Sequence, residues 1–420
     1  MQKKIIPPLS STPLLPNRVF FLLFLVFVFS VSCTDKNAKT ERDAKETEFD
    51  PATSLAMAKE RLNLQLGEAE KVNKIPRTLN EDGSIHYANL DYDWTEGFFP
   101  GSLWFLYEDS KNKSFKLAAE HFQSLYESHK YRTTNHDLGF IFNNSYGNGY
   151  RLTKNEAFKP VLITAADSLS TRFNENVGCI KSWDVDRGWQ AERNWKFPVI
   201  IDNMMNLELL FEVSELTKNS KYHAIAVAHA NTTLKNHFRA DGSSVHVVDY
   251  NPETGAVRSK QTAQGFDDNS AWARGQAWGL YGYTVCYRYT KDKRYLQQAE
   301  MIADFILEKN KMREDGIPYW DYDADGIPNE PVDVSAAAIT ASALIELDGI
   351  SKKSFKSDVD ALLETLSSEK YMSKLGENHN FLLMHSVGSI PHGNEIDVPL
   401  NYADYYYLEA LLRYKKNYLN

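Results

Sequence analysis

Cysteine is scarce in this chain. Only three cysteines occur among 420 residues, at positions 33, 179 and 286. A small fold held together by several disulfides is therefore excluded. Cys33 is given a separate role below, and we expect Cys179 and Cys286 to be buried free thiols. A disulfide between them is the alternative, because an exported protein can form one.

Sequence motifs for metals and nucleotides are also missing. The chain has no HExxH sequence, no paired CxxC, no P-loop and no GxGxxG cluster. We therefore predict no metal site and no cofactor. The formal net charge is -9, and no run of Lys and Arg crosses the body of the chain. Nucleic-acid binders carry a basic surface, so we expect no nucleic acid as a partner.

Only one long apolar run is present, at residues 19–31. It has the length of a signal-peptide core and is short for a membrane-spanning helix. Since Cys33 follows it closely, we interpret residues 1–33 as a lipoprotein signal and Cys33 as the lipidated residue. A plain signal peptide and an uncleaved anchor are the alternatives. Residues 34–50 are charged and predict a solvated tether, which leaves residues 51–420 as the catalytic domain. A lipid anchor predicts a place in a bacterial cell envelope, at the surface or in the periplasm.

Strand patterns are sparse, and the best candidate is a short hairpin arm at Ser244–Tyr250. Helical patterns dominate and follow a repeat. Ser or Thr followed by Lys precedes a polar spacer and then an aromatic residue that opens a helical run. Copies of this pattern begin at Ser110, Thr153, Thr217, Thr290 and Ser351.

Each copy separates two different kinds of helical run. Met204–Val213, before one copy, is apolar nearly all round, whereas Tyr222–Phe238, after it, has a charged face. The first kind is typical of a buried helix and the second of an outer helix. Five such pairs, joined by a sixth made from the lone runs at 54–72 and 402–415, predict an all-α fold: an (α/α)6 barrel of six inner-outer helix pairs.

Two carboxylates lie at the entries to probable helices with apolar flanks. Asp202 follows Trp195–Ile201, and Asp137 lies between His136 and Leu138. An ordinary reading makes each of them a helix cap or a turn residue. However, burial raises the pKa of a carboxyl group toward neutral pH, which suits acid/base chemistry on a sugar. Local sequence alone does not decide between these readings for Asp202.

The densest polar and aromatic segment spans residues 264–278. If it is helical from Ser270, then Arg274 and Trp278 are four residues apart and share a face. A guanidinium beside an indole suits a uronate, because the cation pairs with the carboxylate while the ring stacks on the sugar. The alternative is an internal Arg-Trp packing pair.

Two further residues have both a structural and a functional interpretation. His246 lies in the predicted strand, where a single histidine is more often structural. Trp94 precedes the first inner helix, so it is either a core residue or a wall at the mouth of the barrel.

Several long segments, in one order, resemble the unsaturated glucuronyl hydrolases of glycoside hydrolase family 88. The matching stretches are residues 94–104, 135–140, 200–210, 264–283, 333–339 and 397–413. The resemblance implies the same (α/α)6 barrel that the helix repeat predicts. It also implies that the substrate is an unsaturated uronate oligosaccharide left by a polysaccharide lyase, of glycosaminoglycan or ulvan type. The enzyme would release the 4,5-unsaturated glucuronic acid by hydrating its C4=C5 bond.

The resemblance also implies roles for individual residues. Asp202 would be the general acid/base, and Asp137 would be its partner, which contacts the uronate and influences the protonation of the pair. The implied substrate-binding residues are His246, Thr262, Gln264, Arg274, Trp278 and Trp94.

Two positions depart from some members of that family. Position 263 is Ala and position 270 is Ser, where larger polar or aromatic residues are also found. The departures leave the identity of the sugar beyond the cleaved bond open. Two other functions are kept as alternatives: an unsaturated rhamnogalacturonyl hydrolase of family 105, and a non-catalytic glycan-binding lipoprotein.

Overall fold

The structure, a computed structural model, describes residues 49–419. The lipidation site predicted at Cys33 and most of the predicted tether lie outside these residues. The described part of the chain contains twelve α-helices. They are α1 (Pro51–Val72), α2 (Phe98–Ser110), α3 (Lys113–Ser124), α4 (Asn148–Thr153), α5 (Phe158–Ser170), α6 (Leu207–Thr217), α7 (Ser220–Asn236), α8 (Ala273–Thr290), α9 (Lys293–Asn310), α10 (Val334–Asp348), α11 (Lys356–Leu366) and α12 (Asn401–Tyr418).

The helices form two concentric rings. The inner ring runs in order through α2, the π-helical segment Gly139–Gly147 that continues into α4, then α6, α8, α10 and α12, and α12 packs back against α2. Each inner element packs against one outer helix, from α3, α5, α7, α9 and α11 to α1. The ends of the described chain therefore form the sixth pair. The predicted (α/α)6 barrel is confirmed.

Burial separates the two kinds of helix as the apolar patterns predict. Helix α10 is buried on every side, from Val334 through Ile345. Helix α9 instead buries one stripe, which includes Tyr295, Ala299 and Ile302, and turns its charged residues outward. An inner helix is covered by neighbours all round, whereas an outer helix has one face in water.

The Ser/Thr–Lys repeat is a turn that ends inner helices. In four copies the lysine lies in the left-handed region, with φ of 57° at Lys111, 54° at Lys154, 60° at Lys218 and 57° at Lys291. The preceding hydroxyl donates to a carbonyl one turn back and accepts from the amide two residues on, as Thr290 does with Cys286 and Asp292. The fifth copy differs, because α10 ends at Asp348, before Ser351.

Nine short strands decorate the barrel within residues 49–419: β1 (Pro76–Leu79), β2 (Ile85–Tyr87), β3 (Phe173–Asn174), β4 (Cys179–Ile180), β5 (Phe197–Ile200), β6 (Val247–Tyr250), β7 (Val257–Gln261), β8 (Ser386–Ser389) and β9 (Asn394–Val398). The strand predicted near Ser244–Tyr250 is present as β6, the central strand of an antiparallel sheet with β5 and β7. The other strands form three hairpins.

All nine strands lie in connections that lead from an outer helix to the next inner one. Because inner and outer helices alternate in direction, these connections meet at one end of the barrel, where the inner helices begin. The short Ser/Thr–Lys turns close the opposite end. The elaborated end is therefore the natural place for a site.

Cys179 and Cys286 are buried free thiols, as predicted. Burial raises the pKa of both thiols well above the ordinary value, so they are held protonated. None of the helices within residues 49–419 is both long and apolar enough to cross a bilayer.

Candidate active site

The elaborated end of the barrel brings the two predicted carboxylates together. Asp137 precedes the segment Gly139–Gly147, and Asp202 lies in a 3-10 turn, Ile201–Asn206, between β5 and α6. The two side chains are close enough for the charge of Asp137 to raise the pKa of Asp202. Both acids lie at this end of the barrel because each one comes just before a helical element of the inner ring.

Asp202 is a buried acid and not a helix cap. Its side chain makes no capping hydrogen bond, and Ile200 occupies the cap position of the turn. The residue is only 9% exposed, and its Oδ1 has no hydrogen-bond partner among the described residues. Burial is the main cause that raises the pKa of Asp202 to about 7; the charge of Asp137 contributes to this rise, whereas Arg274 and Trp278 oppose it. Such a carboxyl group can give and take a proton near neutral pH.

His246 faces Asp202 in a defined tautomer. Its Nδ1 accepts from the backbone N–H groups of Ala263, at 3.1 Å, and Gln264, at 3.2 Å. The proton of the neutral ring is therefore assigned to Nε2, which lies 3.7 Å from Oδ1 of Asp202. Burial, followed by Arg274, holds the pKa of His246 well below its usual range. His246 is thus a neutral hydrogen-bond donor toward the site.

Asp137 is held by a tyrosine that the sequence analysis did not single out. The Tyr92 hydroxyl donates to Oδ2 of Asp137 at 2.7 Å, and Nε2 of His136 lies 3.3 Å from Oδ1. Burial, together with the charge of Asp137, raises the pKa of Tyr92 well above 10.0, so its proton stays in place. The Arg132 guanidinium stacks 4.4 Å above the tyrosine ring. The contact joins residues 45 positions apart, so local patterns could not reveal it.

Arg274 begins α8 and is engaged by the protein itself. It forms an ion pair with Asp333 at 2.9 Å and donates to the carbonyl groups of Val387 and Gly388 in the β8–β9 hairpin. Only its Nε lacks a partner in the described chain. A buried guanidinium needs such partners because its desolvation is costly.

The alternative interpretation, an internal packing pair of Arg274 and Trp278, is not the arrangement observed. The rings over which the guanidinium lies are Trp272, at 4.5 Å, and Tyr402, at 5.5 Å. Trp278 packs instead on Phe140, with ring centres 5.1 Å apart. Both Arg274 and Trp278 still act on Asp202, because each lowers its pKa.

The remaining predicted residues contact neighbours of the two acids. Trp94 is half-buried and packs on Phe140 and Tyr402. Thr262 closes the turn beneath His246, since its hydroxyl accepts from the N–H of Gly265 at 2.9 Å. Gln264 contributes the backbone N–H to His246 described above. The structure thus places these residues at the site, and their roles in substrate binding stay predictions.

A comparison with models of protein families identifies a family that has this barrel fold. The model for Glycosyl Hydrolase Family 88 matches residues 69–415, which is most of the chain. The chain belongs to glycoside hydrolase family 88.

Family 88 glycosidases similar to this chain are known from several bacteria. An unsaturated glucuronyl hydrolase of Formosa agariphila is 42% identical over 93% of this chain and 98% of its own length. An unsaturated chondroitin disaccharide hydrolase of Streptococcus agalactiae is 32% identical, over 82% of this chain and 86% of its own.

Solved structures show the same relationship. A crystal structure of an unsaturated glucuronyl hydrolase specific for heparin matches with a TM-score of 0.81 and 45% identity, covering 86% of this chain and 96% of that one. A mutant of the Streptococcus agalactiae enzyme, complexed with dGlcA-GalNAc6S, matches with a TM-score of 0.73 and 28% identity, covering 89% of this chain and 97% of that one.

Three tryptophans extend the site of this family 88 chain outward: Trp183, Trp189 and Trp195. They were not predicted from the sequence. Trp183 lies 6.1 Å from the His246 ring, between ring centres, and packs on both Trp189 and Trp195. They are three of the eight tryptophans in the chain and fall within residues 183–195. That local density was a usable signal.

Within residues 49–419, no group of three or more His, Cys, Asp or Glu side chains is arranged to hold a metal ion. The hydrogen-bond donors and the two acids described above are the polar groups that the site offers.

Proposed function

We propose that this protein removes the 4,5-unsaturated glucuronic acid from the non-reducing end of glycosaminoglycan fragments made by polysaccharide lyases. The observation that carries the proposal is the buried carboxyl group of Asp202, whose pKa is raised to about 7. It lies beside a second acid and a neutral histidine donor. The relatives named above, which include an unsaturated glucuronyl hydrolase and an unsaturated chondroitin disaccharide hydrolase, support the same activity.

The reaction is a hydration followed by a rearrangement. Protonated Asp202 donates its proton to C4, and positive charge develops at C5 and the ring oxygen. Water adds to C5 and returns a proton to Asp202, which restores the acid. The resulting hemiketal opens to a ketone at C5, and the hemiacetal left at C1 then releases the next sugar. No bond between the enzyme and the sugar is needed.

The neighbouring residues prepare this proton transfer. Asp137 is kept in position by Tyr92, and its charge favours the protonated form of Asp202. His246 donates from Nε2 and does not compete for the proton, because its pKa is held low. The guanidinium of Arg274 stabilises the negative charge on the Asp202 carboxylate after its proton has moved to C4. The site can thus supply and recover one proton.

Loss of ultraviolet absorbance of the conjugated enol-uronate tests the proposal. Residues 34–420 are incubated with unsaturated chondroitin, heparin and ulvan disaccharides, and with an unsaturated rhamnogalacturonyl disaccharide. We expect absorbance loss on a glucuronyl substrate with the wild type and none with Asp202→Asn. Asp186→Asn changes an exposed aspartate and serves as the matched control.

Three other results would refute the proposal. Loss on the rhamnogalacturonyl substrate alone would point to the family 105 activity. Binding without absorbance loss would point to a glycan-binding protein. Equal activity of the Asp202→Asn variant and the wild type would remove Asp202 from the mechanism.

We also propose that the protein is a lipoprotein of the bacterial cell envelope, anchored at Cys33. The apolar run at 19–31 followed by Cys33 supports this location. Expression in a bacterial host with a labelled fatty acid tests it. We expect label and membrane fractionation for the full chain and neither for Cys33→Ala, whereas an unlabelled wild-type protein would contradict the anchor.

A further inference from the structure

A row of aromatic rings leads from the acids to the surface. We call Trp183, Trp189, Arg193, Trp195 and His392 the tryptophan rim. Ring centres are separated by 5.1 Å between Trp183 and Trp189 and by 4.8 Å between Trp189 and His392. Trp183 adjoins His246, which itself faces Asp202. The rim therefore continues the site in the direction away from the reacting acid.

The exposed parts of the rim suit the face of a sugar ring. Trp195 is buried and donates its indole N–H to Gln261 at 2.5 Å, so it serves as the base of the rim. Trp183 and Trp189 are only half-buried and present ring surface to solvent. An aromatic face that is partly open to water is a common surface for stacking apolar faces of ligands.

Arg193 gives this rim a positive charge. Its guanidinium lies over Trp195 at 5.6 Å and Trp189 at 6.0 Å, and it donates weakly to the Thr262 carbonyl at 3.4 Å. Within residues 49–419, no carboxylate forms a salt bridge with it. The adjacent Glu192 is exposed and is not one of its partners, while Asp184 pairs with Arg172 and Asp186 with Arg187.

The side of the rim opposite Arg193, formed by His392, carries no second positive charge. His392 lies at the tip of the β8–β9 hairpin, and its Nδ1 is 2.7 Å from the Ser389 hydroxyl. Burial, followed by the charge of Arg193, lowers the pKa of His392, so the ring is neutral at neutral pH. The cation of the rim is thus Arg193 alone, with a neutral donor across from it.

A guanidinium in this setting is prepared for an oxyanion. Arginine presents a planar fork of N–H groups that matches sulfate and carboxylate, and stacking on aromatic faces keeps this fork oriented. Of the arginines that act near Asp202, Arg274 already has Asp333 as its partner. Arg193 has no such carboxylate partner within residues 49–419, so its guanidinium remains available to a substrate.

We infer that Arg193 binds an anionic group on the sugars beyond the cleaved bond, while Trp189 stacks on the ring that carries it. The inference rests on the proposed function. The anion has two possible sources with the same chemistry: a sulfate on the hexosamine next to the cleaved bond, or the carboxylate of the uronate after it. In either case the preferred substrate is a charged fragment.

The test compares Arg193→Gln with wild type on three unsaturated substrates: an unsulfated disaccharide, a sulfated disaccharide with the same sugars, and an unsulfated tetrasaccharide. Only the second has the sulfate and only the third has the further carboxylate. Arg187→Gln is the matched control, because Arg187 is an exposed arginine nearby whose partner is Asp186. The readout is kcat/KM from absorbance loss, at low and high salt.

For the substrate that carries the recognised anion, we expect kcat/KM to fall by about ten- to a hundredfold in Arg193→Gln, the loss typical of a charge-assisted hydrogen bond. The unsulfated disaccharide should change by less than about twofold, a difference too small for a lost charged contact. A selective loss on the sulfated disaccharide assigns sulfate, and a selective loss on the tetrasaccharide assigns the carboxylate.

An equal change on all three substrates, or none on any, would overturn the inference. So would a wild type that prefers the unsulfated disaccharide to both charged substrates. These results leave the proposed function intact, because the wild type still hydrates the unsaturated sugar. Failure of the proposed function is different: the wild type would act on none of the three.

Discussion

Replacing the buried acid Asp202 should stabilise this protein at alkaline pH. Asp202 has a pKa of about 7 in the folded protein and 3.8 as its ordinary value, and burial is the main cause. Such a carboxyl group has a higher pKa in the folded state than in the unfolded state. Folding is therefore most favourable below pH 3.8, where the group is protonated in both states. This contribution is lost as pH rises toward 7, because the unfolded chain ionises first. Asn at position 202 has the same shape and never ionises.

The size of the effect follows from the two pKa values. One pKa unit corresponds to about 1.4 kcal/mol, so a difference of about three units gives about 4 kcal/mol. We therefore expect Asp202→Asn to be more stable than wild type by about 1.5 kcal/mol at pH 5 and about 4 kcal/mol at pH 8.5. In a domain of this size, 4 kcal/mol corresponds to a rise in Tm of about 5 °C.

Asp404 offers a matched comparison for this prediction. Burial also raises its pKa to about 7, but its two oxygens accept from the N–H groups of Leu382 and Leu383, each at 2.9 Å. Asp404→Asn should show the same dependence on pH as Asp202→Asn. At every pH its unfolding free energy should be lower than that of Asp202→Asn by about 1–3 kcal/mol, because one backbone N–H loses its acceptor.

Urea denaturation of both variants and the wild type at pH 5 and pH 8.5 measures these differences. The reasoning is refuted if Asp202→Asn differs from wild type by the same free energy at both pH values. It is also refuted if Asp202→Asn is less stable than wild type at pH 8.5.

Three further predictions concern the residues around Asp202. Tyr92→Phe removes the hydroxyl that donates to Asp137, so kcat should fall by about ten- to a hundredfold in steady-state assays. Asp137→Asn removes a charge that raises the pKa of Asp202, so the decline of residual activity with rising pH should begin at lower pH in a kcat profile. Asp333→Asn leaves Arg274 without its carboxylate and should lower the unfolding free energy by about 3–5 kcal/mol in urea titrations.

Each of these predictions has a result that contradicts it. Tyr131→Phe changes an exposed tyrosine and should keep wild-type activity, so equal effects at positions 92 and 131 would remove the role of the Tyr92 hydroxyl. A decline that moves to higher pH in Asp137→Asn would have the wrong sign. An Asp333→Asn variant as stable as wild type would show that the pair contributes little.

The barrel could be predicted from the sequence because its main signals are local. A Ser/Thr–Lys turn is set by hydroxyl contacts within four residues and by one left-handed lysine, as at Thr290 and Lys291. The difference between inner and outer helices appears in the spacing of apolar residues along a single helix. The strands were less predictable: β5 and β7 were missed, and the pairing of β5 depends on β6, which lies far along the chain.

The two acids were also visible in the sequence, since apolar flanks mark a carboxylate that will be buried. Their partners were not. The contact of Tyr92 with Asp137 and that of Arg274 with Asp333 join segments 45 and 59 residues apart. Helical spacing indicated that Arg274 and Trp278 share a face, but it did not show that Trp272 and Tyr402 lie against that guanidinium.

The helix pairs, the family resemblance and the positions of Asp137 and Asp202 can all be recognised in the amino-acid sequence. Periodicity and turn chemistry act over a few residues, so they can be read along the chain. Tertiary contacts make the pKa of Asp202 about 7 and His246 a neutral donor, and they leave Arg193 on the tryptophan rim without an ion pair within residues 49–419. Desolvation and charge pairing are set by whichever distant segments pack around a group, and only the folded chain brings these together.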